Sequence, residues 1–153
     1  MKILNNERLK LIESYIKNGK DISSLLDGYS LKNQSFARAV IKKLNRFNED
    51  LSGTNFAYCT IGENDTETNL SGCNLKGCNF KRAKFLGRTI IRNADVRNCN
   101  FHDTDLNHFE YQNSDFRGGV FCGCVLKIGT DAGQGAIVDS GLIELLKKGW
   151  IFK

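Results

Sequence analysis

The chain has 153 residues, 41% of them apolar and 25% charged, with a formal net charge of +5 and no proline. That composition excludes a disordered chain, and the length suffices for one domain with a real core. No apolar run is long enough to span a bilayer, and the N-terminus lacks an apolar export stretch with a small-residue cleavage site, so a cytoplasmic location is expected. The positive surplus sits mainly in residues 1–50, where ten Lys and Arg stand against six Asp and Glu, while residues 51–126 hold eight of each. An excess this diffuse suits solubility as well as it suits an anionic partner.

Residues 1–50 read as a helical N-terminal cap. Leu9, Ile12 and Ile16 lie at helical spacing, with Leu4, Leu11 and Tyr15 widening the stripe and Gly19 as a stop. A short turn from Ile22 to Asp27 ends at Gly28. Phe36, Val40, Leu44 and Phe47 then predict a second helix, capped by Ser35 and ending near Asn48.

From Leu51 the helical period gives way to a period of five. Apolar residues recur at Phe56, Ile61, Leu70, Leu75, Phe80, Phe85, Ile91, Val96, Phe101, Leu106, Tyr111, Phe116, Phe121 and Leu126. Two residues before each stands a small one, such as Thr54, Cys59, Cys73, Ala83, Thr104 or Ser114; Phe109 alone breaks the rule. The residue just before is often Asn or Asp, types that favour turns by bonding to nearby backbone. The period slips between Ile61 and Leu70 and between Phe85 and Ile91. A chain that bends every five residues closes a square after four units, and each coil then stacks on the last at the strand spacing of ~4.8 Å. Counting a weak unit at Thr66, the stacking predicts a ladder of Ile61, Phe80, Phe101 and Phe121, with Cys59, Cys78, Cys99 and Gly119 beside it. Leu51, Leu70, Ile91 and Tyr111 form the ladder expected on another face.

Gly72-Cys-Asn-Leu-Lys, Gly77-Cys-Asn-Phe-Lys and Asn98-Cys-Asn-Phe-His resemble the pentapeptide-repeat family. The resemblance covers residues 51–126. It implies a mainly β fold, a right-handed quadrilateral parallel β-helix of about four coils, and it implies no single function. The α-helical segment 1–50 and a loop with a short capping helix over 127–153 complete the expected organisation. Ser140 as N-cap and Lys147 and Lys148 near the C-terminus mark that last helix. Its apolar residues exceed what one coil end can cover, so Leu145, Trp150, Ile151 and Phe152 are the expected interface of a symmetric homodimer.

Candidate chemistry is sparse. Five of the six cysteines occupy the small inward position and are expected to be reduced and buried; Cys122 follows an inward residue and should face out. Their spacing is that of the repeat and not of a zinc site. His102, with Asp103, Asp105 and Glu110, forms an outward polar patch without a convergent shell. Gly129-Thr-Asp-Ala-Gly-Gln-Gly lacks the Lys-Ser/Thr ending of a phosphate loop. No catalytic set, metal site or cofactor is expected. Charge is banded instead. Lys76, Lys81, Arg82, Lys84, Arg88, Arg92 and Arg97 form a basic belt between acidic stretches at 63–67 and 103–115, with no aromatic residue interleaved at outward positions. The expected function is a protein-interaction or structural scaffold. The alternatives are nucleic-acid binding through the belt and, from the family resemblance, DNA mimicry towards topoisomerase, which the neutral coil disfavours.

Overall fold

Each five-residue unit is a turn specified by three positions. The Asn or Asp ahead of the inward residue accepts a backbone N–H from two residues on: Asn55 from Ala57 at 3.1 Å, Asn79 from Lys81 at 3.1 Å, Asn100 from His102 at 3.0 Å. The inward residue's carbonyl accepts from three residues on, as Phe80 does from Ala83 at 2.8 Å. The second residue after it takes a positive φ, 69° at Gly53 and 59° at Asn98, which closes a type II turn.

The computed structural model describes residues 1–125 and 136–139. It is a mainly β solenoid of stacked parallel coils. Helix α1 (Asn6–Lys17) and the short α2 (Ser23–Leu26) precede strands β1 (Val40–Ile41), β2 (Thr60–Asn69), β3 (Lys84–Ile90) and β4 (Phe109–Glu110), which pair in that order, all parallel. Asn5 caps α1, its side chain accepting from Arg8. Ile12 faces the core and Leu11 is exposed, so the first predicted helix is present.

The second predicted helix is absent. Residues 36–47 form solenoid instead: Ser35 bridges Asn55, Val40 bridges Thr60, and Leu31, Phe36 and Ile41 are fully inward. Five-residue spacing of inward residues thus begins about twenty residues earlier than the sequence pattern, in a stretch where the small-residue position holds Tyr29, Gln34 and Leu44. Phe36 and Val40 also fit a helical stripe. Bonds to the next coil, such as Phe36 N–H to Asn55 O at 2.8 Å, decide the conformation.

Phe80, Phe101 and Phe121 stack as expected, and so do Leu70, Ile91 and Tyr111; the first coil is shifted by one unit from the expected register. Phe36, Phe56, Phe80, Phe101 and Phe121 stack in one column, the Phe56–Phe80 and Phe80–Phe101 centroids each 5.3 Å apart and the rings nearly parallel. Ile61 stands instead on the next face, paired with Phe85. Cys59 therefore leaves the expected thiol column. Its Sγ donates to Phe36 O, as Thr104 Oγ1 donates to Phe80 O two coils on. Cys78 and Cys99 donate to Leu51 O and Leu75 O. Leu51 lies under Leu75, and the place beneath Leu70 is taken by Arg46. The cause is coil length. Bridged partners are 20 residues apart from Ser35 to Asn55, 24 from Asn55 to Asn79, 21 from Asn79 to Asn100 and 20 from Asn100 to Val120. Residues 63–67 are an exposed excursion and not a five-residue unit at Thr66.

Arg46 is 6% exposed. Its guanidinium donates to Leu26 O at 2.7 Å and to Glu49 at 3.1 Å, so the charge is paired and closes the carbonyls that follow α2. Phe109, the exception to the small-residue rule, is buried and packs edge-on against Phe85 at 4.7 Å.

Candidate interaction surfaces

Three corners of the coil repeat the type II turn, and outward residues align there in columns. Backbone bonds fix which residue lies above which. Gly53 N–H donates to Lys76 O and Gly77 N–H to Arg97 O, so Lys76 and Arg97 share a column; Gly72 N–H donates to Arg92 O, which puts Arg92 at a second corner. Tyr58 N–H donates to Lys81 O and Arg82 N–H to His102 O, which puts Lys81 and Arg82 at a third. Lys84 and Arg88 lie in β3 on the remaining face. The seven residues of the basic belt therefore encircle the solenoid and do not gather on one side.

Most of the belt's arginines are also paired between coils. Arg82 donates to Asp103 at 2.8 Å. Arg88 reaches Glu67 at 3.0 Å and Glu110, which also binds Arg92. Arg97 binds Asp95 at 2.6 Å, and Asp115 binds Arg117. The carboxylates answer accordingly. Burial opposes ionisation of Glu110, but its bonds to Arg88 and Arg92 win and hold it below the usual range. The Arg97 hydrogen bond does the same for Asp95, and the Arg117 bond for Asp115. Lys76, Lys81 and Lys84 have no ion pair among the described residues. Asp103 and Glu110 of the acidic stretch at 103–115 are thus the counter-charge of belt arginines one coil away.

The aromatic residue that the sequence did not place among these cations is Tyr58. It stands directly between Arg38 below and Arg82 above, with the Arg38 guanidinium 5.8 Å from its ring centroid. Residues 20 to 24 apart in sequence meet there, so a linear scan of the belt passes over it.

The fourth face is different. Lys43, Glu63 and His108 stand where the other corners have a positive φ and do not adopt one. The excursion of β2 sits on this face, and between it and residues 107–110 lies an open groove of about 920 Å³. Asp65, Glu67, Arg88, His108, Phe109 and Glu110 are among its lining residues. Among the described residues no His, Cys, Asp or Glu cluster could hold a metal ion. His102 turns Nδ1 to Cys122 O at 2.9 Å and Nε2 to Asp103 at 3.5 Å, away from Asp105 and Glu110.

Cys59, Cys73, Cys78, Cys99 and Cys124 are buried free thiols and Cys122 is exposed, as the repeat position requires. Burial pushes the Cys59 thiol up to about 12 and those of Cys73 and Cys124 to about 11, which keeps them protonated and unreactive. Leu145, Trp150, Ile151 and Phe152 lie outside the described residues. Among those described, no helix is long and apolar enough to cross a membrane.

Residues 66–108 match the family model described as pentapeptide repeats, nine copies. No curated protein matches the chain. Among solved structures, the chain is similar to a pentapeptide repeat protein from Nostoc Pcc 7120 at 15% identity, over 90% of this chain and 98% of that one, with a TM-score of 0.37. It is also similar to trypsin-treated QnrB1, described as a plasmid-mediated fluoroquinolone resistance protein, at 15% identity, over 78% and 94% of the two chains, with a TM-score of 0.35.

Proposed function

Because the chain carries the repeats of the pentapeptide-repeat family, we propose that it is a non-enzymatic scaffold that presents outward columns of side chains to a protein partner. The observation that carries this reading is the division of labour along each unit. Inward positions are filled by Phe, Leu, Ile, Thr and Cys that satisfy one another, while the variable outward positions are locked in register by the ladders. A rigid surface of this kind binds with little cost of ordering its backbone. The finer architecture belongs to the same proposal: a right-handed, quadrilateral solenoid of about four coils. The four recurrent bridge positions support the four sides, and the strong right-handed preference of parallel crossovers supports the hand.

Nucleic acid is a weaker partner for this surface. The belt is spread around the axis and most of its arginines are neutralised, whereas tight binding of a polyanion requires many free cations along one track. A DNA-like surface requires the opposite charge, and the coil region is balanced. Assembly through residues 140–153 into a cytoplasmic homodimer completes the reading, on the apolar content of Leu145, Trp150, Ile151 and Phe152.

An affinity pull-down from the native source, read by mass spectrometry with and without nuclease, tests the class. Specific protein partners that survive nuclease are expected; recovery of nucleic acid alone would reject it. Light scattering of wild type and of a Leu145→Lys, Phe152→Lys variant tests the dimer, which the substitutions should dissociate.

A further inference from the structure

At the three regular corners a residue with positive φ recurs every coil, and most of these positions hold Gly, Asn or Asp, the types that tolerate it. One column departs from this over three consecutive coils. Arg38, Tyr58 and Arg82 take φ values of 68°, 60° and 54°. A long or aromatic side chain in this region is an outlier that costs about 1 kcal/mol or more per residue relative to Gly. The cost is not recovered by burial, because Tyr58 is 44% exposed and Arg38 and Arg82 project into solvent. The next two residues in the column, Asp103 and Gly123, are of the tolerant kind.

What the three share is a surface. The guanidinium of Arg38 lies over the Tyr58 ring, and Tyr58 lies under Arg82, which is held from above by Asp103. Lys81 stands beside Arg82 on the same turn and has no ion pair among the described residues. The result is a cationic strip with one phenol at its centre, built on backbone held by hydrogen bonds between coils. At ~4.8 Å per coil its three rungs span about 10 Å. Above it the sign reverses at Asp103 and Asp105. An extended peptide places side chains of one face about 6.6–7 Å apart, so the strip accepts two carboxylates. A nucleic-acid strand would run its next phosphates into the acidic end.

We infer that the Arg38–Tyr58–Arg82 column is the docking site for a short acidic segment, rich in Asp or Glu, of a protein partner. Carboxylates pair with the Arg38 and Arg82 guanidiniums and with Lys81, and the Tyr58 ring holds the two rungs apart and carries apolar contact between them. Uncommon residues stand in strained positions here because binding, and not folding, selects them. This inference rests on the scaffold reading and deepens it. If the column fails, the pull-down with intact protein still tests that reading independently.

The experiment separates folding from binding, because substitution by a turn-tolerant residue should act oppositely on the two. The full chain and its Arg38→Asn and Tyr58→Asn variants are titrated with a fluorescent octa-glutamate peptide at low salt. Thermal unfolding is followed on the same samples, with a dT12 oligonucleotide as the second probe. Each variant should weaken peptide binding by about two- to fivefold, the scale of one exposed cation–π or ion-pair contact, and should raise Tm or leave it unchanged. Arg38→Lys, which keeps the charge, should retain most of the binding. Peptide binding unchanged in both Asn variants would overturn the inference. A fall in Tm in either would also overturn it, since the column would then be structural. Tighter binding of the oligonucleotide than of the peptide would overturn the partner class.

Discussion

The three turn corners and the fourth face solve the same problem differently. At a corner, one backbone bond from three residues on and one Asn or Asp side chain close a turn in five residues, and the next coil repeats it in register. On the fourth face the chain runs extended through β2 and β3, and the excursion at 63–67 and the extra residue at Gly87 are both absorbed there. Gly62 and Gly87 show how tightly. A Cβ at Gly62 would overlap Leu86 O, and one at Gly87 would overlap Thr66 O. The corners are also tight, but against side chains: a Cβ at Gly72 would meet Asn48 Oδ1, and one at Gly53 would meet Asn33 Oδ1. Regular corners thus tolerate adjustment, whereas the irregular face is locked backbone against backbone. The one buried hydroxyl without a partner among the described residues, Thr89 Oγ1, lies on that face. At the corners the equivalent Thr54, Thr104 and Ser114 donate to a carbonyl one coil below.

This contrast can be broken by mutation. The largest effect is expected in the regular stack. Phe101→Ala should cost about 3–5 kcal/mol in denaturant unfolding, because the ring is fully buried between two others. Phe85→Ala on the irregular face, where the ring is only partly buried, should cost less. Equal costs would mean that the two faces are packed alike.

Next come the glycines. Gly72→Ala should cost about 1–2 kcal/mol, for a positive φ with a neighbour that can rotate away. Gly87→Ala has the same φ problem and a backbone carbonyl in the way, so it should cost more. An Asn48→Ala change should relieve part of the Gly72→Ala cost, and no single side-chain truncation should relieve Gly87→Ala.

Deleting residues 63–66 brings the long coil from 24 to 20 residues, the length of the coil below it. The shortened protein should fold with stability within about 1 kcal/mol of wild type, since closure entropy varies slowly with loop length. Aggregation or loss of cooperative unfolding would show that the excursion covers an essential part of the core.

The smallest effect concerns acid stability. Glu110 is held below its ordinary range in the folded state, so the stability it supplies is present above the unfolded carboxylate value of ~4.3 and is lost as pH falls through its lower folded value. Glu110→Gln should flatten the acid limb below about pH 4.5 and leave the curve above pH 6 parallel to that of wild type. A limb of unchanged slope would assign acid sensitivity to the corner aspartates instead.

Much of this was legible in the sequence. The period of five, the inward and small positions and the Asn or Asp turns are local, because each unit closes its own turn with its own side chains. The burial of five cysteines and the exposure of Cys122 follow directly from that frame. The helix expected over 36–47 shows the limit of the same reasoning: four apolar residues at helical spacing satisfied one pattern, while hydrogen bonds to residues 55–60 enforced the other.

From Leu70 onwards the expected stacking holds; what the sequence did not determine is which units of the coil below lie under Leu70 and Phe80. Every five-residue unit presents the same inward chemistry, so sliding one coil by one unit leaves the local pattern intact and changes every column. Only the geometry of the fourth face, where the extra residues are accommodated, fixes the slide. That slide put Phe56 and not Ile61 under Phe80 and brought Arg38, Tyr58 and Arg82 into one line. The units are written in the chain, but their alignment is a property of stacked backbone, because only the bonds between coils distinguish one register from the next.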